Sequence, residues 1–192
     1  PFLSSSLFGF HAASSTATDY TWQSPDTDLK VYAVRQERES EDITFVLEAS
    51  QLGVLLETDV FYDTYDNNKW NLSVRIKPEK VGVDLVDGTS DTNYILEFTG
   101  YNLDAGVVVD QFYLTSSVSN IQGYTTSNKR LYLGAHRTNF TGSALEQTDV
   151  KISSLRYWAS YLDNEVLLSH ARDPSSAGAK NPYESAFLYE TS

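Results

Sequence analysis

The stretch Trp70-Asn71-Leu72-Ser73-Val74-Arg75-Ile76 alternates without a slip. Trp70, Leu72, Val74 and Ile76 fall on one side, and Asn71, Ser73 and Arg75 on the other. A period of two belongs to a strand with one buried face, so the first set is expected toward a core and the second toward water. The pattern extends outward from there. At 29–34, Leu29, Val31 and Ala33 point one way and Lys30 and Tyr32 the other, while 43–47 reads as a short buried strand. Residues 55–63 place Leu55, Glu57, Asp59 and Phe61 on one face. Further strands are expected at 94–98, 107–114, 130–135 and 150–158. Between 55–63 and 70–76 lies Thr64-Tyr65-Asp66-Asn67-Asn68-Lys69, whose Asp and Asn residues suit positive φ, so the two strands are expected to pair as a hairpin. Asp87-Gly88, Gly100, Asp104-Ala105-Gly106, Gly123 and Thr141-Gly142 mark the other turns.

Many short strands with turn signals between them predict an all-β fold, a two-sheet antiparallel β-sandwich (jelly roll). The 13 Tyr and 9 Phe suit strands. One short C-terminal helix is expected: Asp163 as N-cap, then Val166, Leu167 and His170 at helical spacing, with Pro174 as the stop. The 192 residues fit one domain over 1–179 and an aromatic tail over 180–192, where Tyr183, Phe187 and Tyr189 are suited to packing.

The net charge of −12 repels phosphate backbones, so nucleic acid is excluded as a partner. There are no cysteines, which excludes disulfides, thiolate zinc sites and a Cys nucleophile. No apolar run approaches the roughly 18 residues of a membrane helix, so no membrane insertion is expected. There is no methionine, and the opening Phe2-Leu3-Ser4-Ser5-Ser6-Leu7 reads as part of a longer polypeptide or a processed product.

Residues 130–171 carry a family likeness. They run Leu131-Tyr132-Leu133-Gly134-Ala135, Phe140-Thr141-Gly142, then 150–158 (Val-Lys-Ile-Ser-Ser-Leu-Arg-Tyr-Trp), then Leu162-Asp163-Asn164-Glu165-Val166 and His170. This resembles the C-terminal half of a LamG-like domain of the concanavalin A-like lectin/glucanase superfamily. Residues 68–74 resemble the Trp-bearing strand of the same family. The acidic residue common in the family's penultimate strand aligns with Ser153, and Asp149 lies earlier. The phrase Ala171-Arg172-Asp173-Pro174-Ser175 is similar to such domains in phage tail and virion structural proteins. The resemblance implies a two-sheet jelly roll, with Trp70 and Trp158 as packing residues. It does not choose among lectin, hydrolase, adhesion module and spacer.

Retaining glucanases of that superfamily need two carboxylates about 5 Å apart. Glu57 and Asp59 share a face, but the third acid of the motif is absent, since Phe61 and Tyr62 stand there. His11, His136 and His170 are scattered and no G-x-S-x-G elbow exists. His170 is expected to pack near the helix end and His136 to lie in a loop. The chain therefore reads as non-enzymatic. Calcium is the one candidate cofactor, with Asp63 and Asp66 (beside Asn67 and Asn68) or Asp84 and Asp87 (with Asp91) as oxygen donors. Candidate glycan-binding residues are Tyr62, Tyr65 and Asn67 at the expected hairpin tip, and Tyr124 in a polar loop. Asn71-Leu72-Ser73 and Asn139-Phe140-Thr141 are glycosylation sequons. The expected role is a structural or adhesion module of a surface assembly, on a virion or another extracellular particle. It would contact other structural proteins or itself, and the alternative is a carbohydrate-binding lectin domain.

Overall fold

A computed structural model describes residues 2–12, 29–65, 68–79, 93–119, 121, 124, 129–137, 142–173 and 175. Strands β1 (Ser4–Ala12), β2 (Leu29–Arg35), β3 (Ile43–Ala49) and β4 (Val54–Glu57) join β8 (Lys129–Leu133) in a five-stranded antiparallel sheet of order β4-β3-β2-β1-β8. Strands β5 (Trp70–Pro78), β6 (Tyr94–Asp104) and β7 (Val107–Val118) form a three-stranded antiparallel meander. β9 (His136–Arg137) and β10 (Ala144–Glu146) make a small separate ladder, and α1 spans Asn164–Arg172.

The two larger sheets pack face to face, as the alternation demands. Leu29, Val31, Ala33, Phe45 and Leu47 from one sheet meet Leu96, Phe98 and Val118 from the other in one core, with Trp70, Leu72, Val74 and Ile76 against it. At its centre the rings of Phe45, Phe61, Trp70 and Phe112 lie 4.7–6.0 Å apart. The chain is thus an all-β, two-sheet antiparallel sandwich with a short helix. That helix makes a third layer, because Leu162, Leu167 and Ala171 cover Tyr101 on the outer face of the meander. Asp163 caps it as expected, its Oδ1 accepting from Val166 N–H at 3.0 Å.

The structure departs from the sequence reading at several points. Residues 55–63 and 70–76 do not form a hairpin: β4 and β5 lie in different sheets. Thr58 and Phe61 return to β3, where Thr58 N–H donates to the Phe45 carbonyl and Phe61 bridges Ile43. The chain then turns at Asp63, at φ 50°. Gly100 is not a turn but sits inside β6, opposite Phe112. A Cβ there would overlap the Phe112 ring, so glycine is what lets that ring lie against the sheet. The turn expected at Asp104-Ala105-Gly106 does join β6 to β7, with φ of 47° at Ala105 and 83° at Gly106, the two-residue geometry that matches strand twist. β1 was not anticipated, because its serines disguise it, yet Ser5 and Ser6 are buried. Residues 150–158 lie outside any strand. Ser153-Ser154 shifts the alternation there, so that Val150 and Ile152 are out of phase with Leu155 and Tyr157. The tail 180–192 and Pro174 lie outside the described residues.

Gly100→Ala is expected to lower stability by about 1–3 kcal/mol, the range for overpacking a filled core. Adding Phe112→Leu should recover part of that loss in urea unfolding. Strictly additive losses would show that the ring contact is not what requires glycine.

Candidate functional site

Arg75 was expected in water and is buried, at 7 % exposure. The reason lies one strand over. Arg75 pairs across the ladder with Glu97, a carboxylate with no exposed surface on the outer face of β6. A buried carboxylate must be paired or protonated. Arg75 Nη2 approaches Glu97 Oε2 at 2.9 Å and Lys77 Nζ approaches Oε1 at 2.6 Å. Tyr113 donates to Oε1 at 2.6 Å and Tyr161 to Oε2 at 2.9 Å. The guanidinium also donates to the Leu162 carbonyl at 2.8 Å and to Asn164 Oδ1 at 2.7 Å, which ties the meander to the start of α1.

These contacts set the protonation states. Burial works against ionisation of Glu97, but hydrogen bonds from Lys77, Tyr113 and Tyr161 and the charge of Arg75 outweigh it and hold the carboxyl below its usual range. Hydrogen bonding to Glu97 in turn raises Lys77 and Tyr113. Burial, then the Glu97 bond, raises Tyr161. Above this network lies an open groove bounded by Lys77, Tyr113, Tyr161, Asp163, Asn164 and Glu165.

A second carboxylate hub was equally invisible in the sequence. Asp149 accepts hydrogen bonds from the Ser5 and Tyr65 hydroxyls and from Phe2 N–H, and lies 3.5 Å from Arg35 Nη2. The Arg35 guanidinium covers the Tyr65 ring at 3.5 Å. Burial opposes ionisation of Asp149, and these partners overcome it. On the outer face of the five-stranded sheet, Lys30 Nζ joins Glu48 and Glu146, each at 3.1 Å.

The sequence candidates fall in different places. Tyr62 is 74 % exposed, whereas Tyr65 is half-buried in the Asp149 hub, so the two do not share a platform. Tyr124 is buried in the main core with Lys129 Nζ 4.3 Å from its ring centroid, which leaves little ring face for a sugar. Asp63 is exposed, and its carbonyl accepts from Asn68 Nδ2 at 2.8 Å. Asn67, Asp66, Asp84 and Asp87 lie outside the described residues. Among the described residues no group of three or more acidic or His side chains could hold a metal ion. Glu57 and Asp59 are exposed. His136 is buried and stacks on Tyr132 at 4.6 Å, not in an open loop. His170 is buried near the helix end against Trp158 at 5.7 Å, where it was expected to pack. The signal for the Glu97 hub was a cross-strand one: Arg75, Lys77 and Glu97 align only once β5 and β6 are in register.

A depressed carboxyl stabilises the fold above its unfolded pKa, and that stability is lost as pH falls through the folded value. The urea midpoint should therefore hold near neutrality and fall below about pH 4.3, the ordinary glutamate value. Glu97→Gln should lower the plateau by about 3–5 kcal/mol, because Arg75 and Lys77 lose their counter-charge, and should flatten the acid limb. An acid limb of unchanged steepness would refute the assignment. Compared with known proteins, the chain matches no family model, no curated protein and no solved structure.

Proposed function

We propose that the chain is a non-enzymatic structural module of LamG-like type, which docks onto neighbouring subunits of a surface assembly such as a virion or another extracellular particle. The observation that carries this reading is an apolar margin. β8 is the outermost strand of the five-stranded sheet among the described residues. Leu131 and Leu133 on it are exposed, as are Ile152, Leu155 and Tyr157 on the irregular segment beside it. Tyr157 meets Phe10 edge-on, at 6.3 Å, and is 74 % exposed.

Physically, this margin arises from unequal sheets. Among the described residues five strands face three, and residues 150–155 lie beside β8 at the margin of the wider sheet. Residues 151–155 make no backbone hydrogen bond to another described residue. Apolar side chains and extended backbone at a sheet margin are what a neighbouring subunit can cover with a strand or loop of its own. The net charge of −12 keeps such a surface from collapsing nonspecifically.

The nearest neighbour to test is another copy of the chain. Sedimentation velocity across a concentration series should show association, and Leu133→Lys with Tyr157→Lys should abolish it with the circular dichroism spectrum unchanged. A chain that stays monomeric at high concentration, or a double variant that associates as before, would count against this margin as the docking surface.

A further inference from the structure

We propose that the apolar margin at β8 takes the β6–β7 hairpin of a second copy of this chain, so that copies join head to tail. This rests on the docking reading and names the surface that fills the margin.

The hairpin projects apolar side chains. Val107 is 64 % exposed and Val109 53 %. Asn102 pairs with Asp110 and Leu103 with Val108, so Val109 stands opposite no residue of β6. A bulge of this kind re-aims a side chain. Among the described residues β7 is the outer strand of the meander, an edge that proteins ordinarily blunt with charged side chains, Lys above all. In its 12 residues β7 carries Asp110 as the one charged side chain. The two valines do not serve the main core, because the side chains that β7 sends there, Phe112, Leu114 and Val118, lie further along it.

Charge selects the partner. Residues 103–118 hold Asp104 and Asp110, both exposed, and no cation. β4 packs beside β7, and residues 54–59 add the exposed Glu57 and Asp59, again with no cation. The β8 margin has the opposite balance. Residues 129–133 and 150–158 hold Lys129, Arg130, Lys151 and Arg156 and no acid, and the neighbouring Asp149 is taken up by Arg35. Lys129 shares a face of β8 with Leu131 and Leu133, and Lys151 is exposed beside Ile152. Between Leu133, Val150, Ile152 and Leu155 there is an open groove of about 320 Å³ for the valines. In a chain of net charge −12, this cationic apolar groove fits the acidic apolar hairpin of the same chain, and such complementarity fixes register and disfavours like-charged approaches.

Position decides the symmetry. β4 and β8 are the two ends of the five-stranded sheet, about 19 Å apart across four strand spacings, and β7 lies at the β4 end. Hairpin and groove therefore sit on opposite margins. A contact between them leaves a free hairpin on one copy and a free groove on the other, so it repeats into a ring or an open series instead of closing as a two-fold pair.

The test mixes two variants of the full chain in sedimentation velocity, with circular dichroism to check folding. Val107→Lys with Val109→Lys removes the hairpin surface, and Leu133→Lys with Tyr157→Lys removes the groove. The unaltered chain should form species larger than a dimer as its concentration rises. Each double variant alone should stay monomeric. Their equimolar mixture should form a heterodimer and nothing larger, because one working hairpin and one working groove remain between them. Val107→Thr with Val109→Thr keeps the branched shape and should weaken association less than Val107→Lys with Val109→Lys. A hairpin variant that associates as the unaltered chain does, a mixture that stays monomeric, or an unaltered chain that stops at a dimer would overturn this inference while leaving the margin as a docking surface. An unaltered chain that stays monomeric would overturn both.

Discussion

A carboxylate with no access to water sits on the face of a sheet that would otherwise look outward, and much of the third layer follows from satisfying it. Glu97 can remain ionised only if cations and hydroxyl donors surround it. Arg75 and Lys77 come from the neighbouring strand, and Tyr113 from the strand on the other side. Tyr161 and the backbone of Leu162 come from the chain entering α1. The same guanidinium that neutralises Glu97 therefore fixes where the helix begins. Leu162, Leu167 and Ala171 then complete the layer by burying Tyr101. Polar pairing gives this layer its position, and apolar burial holds it there.

The parts of the fold legible in the sequence are those with an uninterrupted period. β2 and β5 and the capped helix were visible because each presents one chemistry per face, and β3 because it is a short apolar run buried on both faces. Three of the misreadings share a cause: a residue's partner lies on another element. Gly100 resembles a turn until Phe112 is placed opposite it. Arg75 looks solvated until Glu97 is brought into register. Residues 64–69 have hairpin chemistry, but Thr58 and Phe61 had already been claimed by β3. The candidate site was illegible for the same reason. Tyr113 and Tyr161 are 48 positions from one another, and only a shared carboxylate joins them. The tyrosines chosen by loop composition, Tyr62, Tyr65 and Tyr124, were met by three different environments.

The sandwich separates its apolar margin from its polar groove. The apolar margin lies with β8 and the segment beside it, and the polar groove lies on the far face of the meander under the helix entrance. The groove rests on a buried ion network. The margin, by contrast, has backbone whose hydrogen bonding the described sheet leaves incomplete.

The position of β1 has a kinetic consequence. The meander β5-β6-β7 is made of consecutive strands, and its closest turn is two residues long, so it can zip up as soon as those residues exist. β1 lies between β2 and β8, and Ser5 meets an Asp149 that is 144 positions away. One flank of the first strand thus waits for chain made much later. During synthesis that flank would stand as a temporary open edge, and pairing this non-local is expected to be slower than closing the meander and more exposed to mispairing.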